Sequence, residues 1–265
     1  MGFKVDLPEW VFSSEREDLS VEFMRLLAAA QEGGSSLAEC WAAASRIDFS
    51  DDNSWYREWK KTADTNNERG NDALGKGNML TARSNWLRAV NYYQAAAFPY
   101  DPTSQNHLIA IECMRECARK YLSHRNPAGE VVLIPWPNGY PLESYFMPAP
   151  AVVNRAPAVI CIGEPGQRKE EYLSKVARYA SDRGMSVLAV DLLGAGASAR
   201  SRRSSAVPIW KRQSDRSWII SSKETTSTRI ELQSSRMDGA LPLWRGESRS
   251  MTVLQRRFVT AVSGI

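Results

Sequence analysis

The chain contains few of the residues that most often carry reactive or metal-binding chemistry. Its 265 residues include two histidines, His107 and His124, and four cysteines. The cysteines are too few and too scattered for a disulfide framework. Cys113 and Cys117 are four apart on a predicted helix, without the second pair that a zinc site needs. We therefore expect no metal and no cofactor, free buried thiols in a reducing compartment, and histidines in surface or helix-capping positions.

Long apolar runs are also missing. A stretch such as Ala158–Ile162 is far too short to cross a bilayer. The first residues hold no apolar signal core, and Asp6 interrupts a myristoylation pattern. These absences predict a cytoplasmic protein with no membrane partner.

The composition changes abruptly near residue 200. Residues 200–265 contain 13 serines, no tyrosine and no histidine, and their 13 basic and five acidic residues give a formal charge of +8. The preceding 199 residues hold 21 basic and 25 acidic residues, a charge of −4. Apolar residues recur at no useful period in the last part of the chain. We expect this segment to be poorly ordered, either as a basic tail or as the product of a lost reading frame.

The codon table distinguishes these two interpretations in part. Read one base earlier, the possible codons after Met237 permit the text G-W-G, a few small residues, and then V-A-R-G-I-A-L-D-D-R-F-A-A-A-V-C-D-G-G-I-W-D. That text contains an apolar strand, a glycine turn and a helix, which is the continuation that an α/β fold requires. The sequence therefore favours a frameshift near residues 199–204.

Residues 1–125 predict a helical region. Apolar side chains recur at helical spacing from Glu15 to Gln31, where Gly33-Gly34 ends the pattern. Ser36 can cap a second helix. Further helices are predicted over 54–76, 80–98 and 104–121.

The period changes after Ser123, and residues 126–199 predict part of an α/β core. Glu130–Pro135 and Tyr140–Met147 read as an antiparallel hairpin. Residues 156–162 and 186–190 read as buried parallel strands, joined by a glycine turn and a helix over 169–183.

This order of elements resembles the α/β-hydrolase superfamily. The strand ending in Gly163-Glu164, the helix opening with Lys169-Glu170 and the strand ending in Asp191–Ser198 carry the resemblance over about residues 55–198. Within that superfamily, the chain more narrowly resembles the fermentation-respiration-switch-like esterases and the 2,6-dihydroxypseudooxynicotine hydrolase group. It implies a helical N-terminal cap region followed by the first half of a hydrolase sheet.

The resemblance also implies two site positions. In this family, a backbone N–H after the third strand helps to hold the oxyanion, and the matching residues are Gly163 and Glu164. The residues themselves leave open that Gly163 merely permits the turn. Lys169 and Glu170 are expected in a solvated first helical turn. Asp191 is expected to stabilise the turn that follows its strand.

The rest of the catalytic machinery is not found in the chain. A serine hydrolase of this fold needs a nucleophile on a tight turn, a later acid and a histidine near its C-terminus. No Gly-x-Ser-x-Gly occurs, and the segment Gly194–Ser198 comes too early and in the wrong register. We expect a truncated, inactive relative, with the acid and histidine beyond residue 265. An intact homologue would cleave an ester, amide or activated carbon–carbon bond of a small molecule.

The helical region allows further hypotheses. Trp59, Trp86 and Tyr93 are candidates for an aromatic substrate pocket, with ordinary core packing as the alternative. Residues 73–93 also look like one tetratricopeptide-type helix pair, although an array needs at least about three such units.

The basic tail alone suggests nucleic-acid binding, which we do not expect. A half-sheet exposes an apolar strand edge, so poor solubility is expected, and a homodimer is one possible assembly.

Overall fold

The computed structural model describes residues 16–134, 141–150, 156–162, 167–191, 227–231, 250–254 and 258–261. The chain divides into two compact units. The first comprises Met1–Arg125 with Leu173–Lys175, and the second comprises Asn126–Tyr172 with Val176–Ile265.

The first unit is built from helices. Its main elements are α1 (Glu17–Ala29), α2 (Leu37–Ala44), α3 (Asp52–Gly75), α4 (Met79–Ala97) and α5 (Gln105–Ser123). These bounds lie within a few residues of the sequence-based expectations. Gly33 and Gly77, which follow α1 and α3, have positive φ angles of 72° and 75°, a conformation that glycine adopts without steric cost.

Two of these helices begin at side-chain caps. The Asp51 carboxylate accepts hydrogen bonds from the backbone N–H groups of Asn53 and Ser54, and the Ser104 hydroxyl accepts one from that of His107. Ser36 lies at the predicted N-cap of α2, but its side chain makes no capping bond. Its backbone N–H donates instead to the Tyr92 hydroxyl, at 2.7 Å. The N-terminus of α2 therefore lacks the side-chain cap that the sequence predicts.

The core of the helical unit is aromatic. The ring of Trp59 stacks on that of Tyr92 with centroids 5.7 Å apart, and the ring of Trp55 lies 5.7 Å from Trp59. The Trp55 indole N–H donates to the backbone carbonyl of Ala95, at 2.7 Å. These contacts join α3 to α4. Fully burying one such side chain is worth about 1.5–3 kcal/mol or more.

The second unit contains a four-stranded mixed sheet in the order β1-β2-β4-β3. Its strands are β1 (Glu130–Ile134), β2 (Leu142–Met147), β3 (Ala158–Ile162) and β4 (Ser186–Val190). β1 and β2 are antiparallel, as the predicted hairpin requires, and β3 pairs parallel with β4. The helical cap region and partial α/β-hydrolase sheet expected from the sequence are confirmed.

The connection between β3 and β4 differs from the single predicted helix. It consists of a 3-10 turn (Lys169–Glu171), a short α6 (Tyr172–Lys175) and α7 (Ala177–Asp182). The break falls at Val176, whose φ of −119° is far from the helical value near −63°. A β-branched side chain makes a helical backbone less favourable there.

Three further strands are described later in the chain. They are β5 (Ser227–Glu231), β6 (Ser250–Leu254) and β7 (Phe258–Ala261). They form a separate antiparallel sheet in the order β5-β6-β7.

Candidate functional site

A cluster of charged side chains lies at one edge of the four-stranded sheet. We call it the Lys169 cluster; its members are Glu143, Tyr145, Lys169, Glu170 and Asp191. The Lys169 ammonium is 2.8 Å from Asp191 Oδ2 and 3.1 Å from both Glu143 Oε1 and Glu170 Oε1. The Lys169 side chain is fully buried, and those of Glu170 and Asp191 are at most 2% exposed.

Asp191 and Tyr145 complete the geometry of this cluster. Both carboxylate oxygens of Asp191 bind Lys169. Oδ2 contacts the Lys169 ammonium, and Oδ1 accepts a 2.7 Å hydrogen bond from the Lys169 backbone N–H. The Tyr145 hydroxyl donates to Glu170 Oε1 at 2.8 Å, and the Lys169 ammonium lies 4.7 Å from the centre of the Tyr145 ring. The cation is therefore held by three carboxylates and an aromatic face.

The charges within the Lys169 cluster shift the pKa values of two of its members. Burial alone would lower the pKa of Lys169, but attraction from Glu170, Asp191 and Glu143 outweighs it, so the pKa of this lysine lies above its ordinary value. Burial raises the pKa of Asp191, and the nearby Lys169 ammonium offsets this only in part. One ammonium faces three carboxylates, so the group has an excess of negative charge when all are ionised.

Strand register explains why these residues meet. Tyr145 pairs with Ala189 across β2 and β4, and Ser144 pairs with Val190. Side chains alternate along a strand, so Glu143, Tyr145 and Asp191 share one face. Asp191 directly follows β4, at the carboxyl edge of the parallel pair. Open α/β sheets bind their ligands along that edge.

The expectation of a solvated Lys169-Glu170 turn is wrong. Lys169 is 1% exposed and Glu170 is 2% exposed, because their charges are neutralised within the fold. Sequence reasoning also missed Glu143 and Tyr145 as partners. Their alternation in Leu142-Glu143-Ser144-Tyr145 was an available signal, because it places both side chains on one face of β2.

The oxyanion-hole candidates Gly163 and Glu164 lie outside the described residues. They fall between the end of β3 and Gln167, where the description of the chain resumes. Their role remains a prediction.

The pocket candidates are all buried in the helical unit, and each has different partners. Trp59 lies against Tyr92, as described above. Trp86 donates its indole N–H to Asn71 Oδ1 at 3.2 Å, and the Tyr93 hydroxyl donates to Asp64 Oδ1 at 2.7 Å. At most 1% of each candidate is exposed. These contacts are those of a packed core.

The two histidines occupy structural positions. His124 is the C-terminal cap residue of α5, and its Nδ1 lies 2.8 Å from the Lys120 carbonyl oxygen. His107 is buried, with Nδ1 3.0 Å from the Ala97 carbonyl oxygen. His107 is therefore not at the surface, and its ring instead contacts the last carbonyl of α4.

The cysteines are free thiols, and three of them are buried, as the sequence suggested. Burial raises the pKa of Cys40 and Cys161 to about 11 and that of Cys117 to about 12. A thiol is a poor nucleophile when so little of it is ionised.

Within the described ranges, no group of three or more metal-ligating side chains is found. None of the helices described there is long and apolar enough to cross a membrane.

Several curated proteins that are similar to this chain are named as hydrolases or hydrolyases. Hydrolyase poxO of Penicillium oxalicum is 29% identical over 200 residues, which are 74% of this chain and 47% of that protein. Hydrolase LUC6 of Fusarium sp is 30% identical over 198 residues, which are 72% and 46% of the two chains. Alpha/beta hydrolase xenA of Xenoacremonium sinensis is 26% identical over 180 residues, 66% and 42% of the two. No protein-family model matches the chain.

A solved structure has the same fold. The crystal structure of the 2,6-dihydroxy-pseudo-oxynicotine hydrolase superposes with a TM-score of 0.55 at 22% identity, covering 64% of this chain and 46% of that one. The resemblance to the α/β-hydrolase superfamily is therefore confirmed in sequence and in fold. The chain spans about half the length of the curated relatives that it matches.

Proposed function

We propose that this chain carries the helical cap and the first half of the sheet of an α/β hydrolase. In an intact homologue, the complete protein would cleave an ester, amide or activated carbon–carbon bond of a small molecule. The observation that carries this proposal is the β1-β2-β4-β3 sheet, whose parallel strands end at one edge beside the Lys169 cluster. The named hydrolases to which the chain is similar support the same reaction class.

We further propose that the 265-residue chain itself does not turn over substrate. The sequence has no Gly-x-Ser-x-Gly motif, and its histidines cap α5 and link α4 to α5. Neither histidine belongs to the unit that contains the sheet. A nucleophile and a general base are both required for this chemistry.

The test compares two gene products. The 265-residue chain and the product of a gene resequenced across codons 190–270 are each assayed with p-nitrophenyl esters of short acids. We expect release of p-nitrophenol at the uncatalysed rate from the first. If resequencing reveals a one-base change near codon 200, we expect turnover from the longer product. Turnover by the 265-residue chain, abolished by a serine-directed inhibitor, would contradict the proposal.

The alternative of a tetratricopeptide-like binding module is not supported. The helices are followed by a mixed sheet, and the relatives are named as hydrolases. A cytoplasmic location, a homodimer and the absence of a nucleic-acid partner remain proposals. Salt-sensitive DNA binding that disappears on truncation at Ser198 would overturn the last of these.

The aromatic pocket is also retained as a proposal. Among the described residues, the buried indole N–H of Trp59 has no hydrogen-bond partner, and this favours contact with a polar ligand atom. Phenyl acetate titrated against tryptophan fluorescence would show a saturable change that Trp59→Phe reduces. Trp41→Phe is the control, because this indole is only half-buried and contacts the opposite partner of Trp59, the ring of Phe23. An equal change in both variants would reject a pocket at Trp59.

A further inference from the structure

We propose that α6 couples the Lys169 cluster to the helical unit, so that loosening α6 in the helical unit also loosens the cluster. The chain crosses between the two units at this point. Leu173–Lys175 belongs to the helical unit, whereas the residues on both sides of it belong to the second unit, the sheet unit. The coupling runs along the chain itself, and it does not depend on the proposed reaction.

The helical unit holds α6 against a glycine. Leu173 and Ser174 are buried, with exposed fractions of 1% and 2%. A Cβ placed on Gly34 would lie 3.1 Å from both Cβ and Oγ of Ser174. Because glycine has no side chain, it leaves room for this close approach. Gly34 thus serves as a seat for α6.

The surroundings of this seat are fixed. The Gly34 N–H donates to the Ala29 carbonyl oxygen at 2.9 Å, at the end of α1. The same added Cβ would lie 2.8 Å from Asn91 Nδ2. Asn91 is buried, and its amide group donates to the Leu87 carbonyl oxygen and accepts from Arg25. In such a packed site, a side chain at position 34 would displace α6 from its seat.

The sheet unit holds the other end of this segment. The backbone N–H and the ammonium of Lys169 both bind Asp191. From Lys169 to Ser174 the chain forms a 3-10 turn and then α6, a rise of about 9 Å at the usual helical geometry. Such a short, hydrogen-bonded segment has little slack, so a displacement of Ser174 reaches Lys169. Beyond α6, the backbone leaves helical geometry at Val176, and that break separates α7 from the displacement.

The test is hydrogen exchange of the full 265-residue chain under native conditions, resolved to single amides. Gly34→Ala should speed exchange of the buried Lys169 amide by about tenfold or more, because overpacking moves α6. Gly75→Ala, which adds a Cβ in open space, and Gly70→Ala, which strains the helical unit elsewhere, are the controls. An unchanged Lys169 amide in Gly34→Ala, or the same acceleration in Gly70→Ala, would overturn the proposal.

The reverse measurement does not require Gly34→Ala to fold. Coupling between two sites is reciprocal, so Lys169→Met should speed exchange of the Gly34 amide. The Asn78 amide is the internal control, because both amides bond a carbonyl oxygen five residues earlier, at 2.9 and 2.8 Å. Acceleration of both amides, or of neither, would contradict coupling through α6. These readouts are independent of catalysis, so ester turnover by this chain would refute the proposed inactivity and leave the coupling result intact.

Discussion

Replacing Lys169 by methionine tests the structural role of the Lys169 cluster. Methionine keeps most of the length and volume of the side chain and removes its charge. The substitution leaves Glu143, Glu170 and Asp191 without the ammonium that lies 2.8–3.1 Å from each of them. The Lys169 backbone N–H would still bind Asp191, so the change isolates the ammonium.

The expected loss in the free energy of unfolding is large because the Lys169 cluster is buried away from water. Removing one partner of a buried ion pair typically costs about 3–5 kcal/mol, since the remaining charge stays buried without compensation. Two of the three carboxylates in this cluster are almost completely buried, which places the expected loss in that range for the sheet unit. Arg178→Met, which removes an exposed cation from the same unit, should change stability by no more than about 0.5 kcal/mol.

Protonation of the carboxylates gives this prediction a pH dependence. In the wild type, the pKa of Asp191 is already raised by burial. Without the ammonium it rises further, so the folded variant binds protons more tightly than the unfolded chain does. A raised carboxyl pKa contributes stability that is present at low pH and is lost as the pH rises through the folded value. The variant should therefore be more destabilised at mildly alkaline than at mildly acidic pH.

Hydrogen exchange of the β4 amides is the appropriate assay, because it reports on the sheet unit directly. Urea unfolding followed by tryptophan fluorescence would mix the signals of the two units, because both contain tryptophans. A loss below about 1 kcal/mol, or a larger loss in acid than in base, would refute the electrostatic account of the cluster. A similar effect from Arg178→Met would also refute it.

Three further predictions concern packing, capping and thiol reactivity. Gly70→Ala should cost the helical unit about 1–3 kcal/mol in urea unfolding, because the new Cβ would lie 2.5 Å from the Trp86 ring nitrogen; an unchanged midpoint would contradict this. Asp51→Ala should cost about 1 kcal/mol and Ser36→Ala much less, since only the first side chain caps its helix; equal losses would refute the difference. With a maleimide, Cys113 should react before the three buried thiols; mass spectrometry of the labelled peptides gives the order.

Sequence periodicity predicted the elements well where one face of an element is apolar. The five long helices and the four sheet strands lie within a few residues of expectation, because helical and strand periods are local signals. It failed at Val176, where the backbone departs from helical geometry, and at Ser36, whose side chain makes no capping bond.

The candidate site was harder to predict because its members are distant in sequence. Tyr145 and Asp191 are 46 positions apart and meet only through the pairing of β2 with β4. A Lys-Glu pair at a helix start usually faces water, so the sequence alone favours the solvated interpretation. Burial of Lys169 and Glu170 becomes favourable only when β2, β4 and the 3-10 turn bring three carboxylates to one ammonium.

The same geometry limits the part that Lys169 can take in catalysis. Its pKa is raised, so the amine stays protonated and is neither a nucleophile nor a base near neutral pH. Its ammonium contacts three carboxylates inside the fold and the face of Tyr145, which leaves it little capacity to bind a substrate. The lysine instead joins the start of β2, the end of β4 and the 3-10 turn at the carboxyl edge of the sheet. Reactive groups in an intact hydrolase would then come from elsewhere, and the Lys169 cluster would keep the edge that carries them rigid.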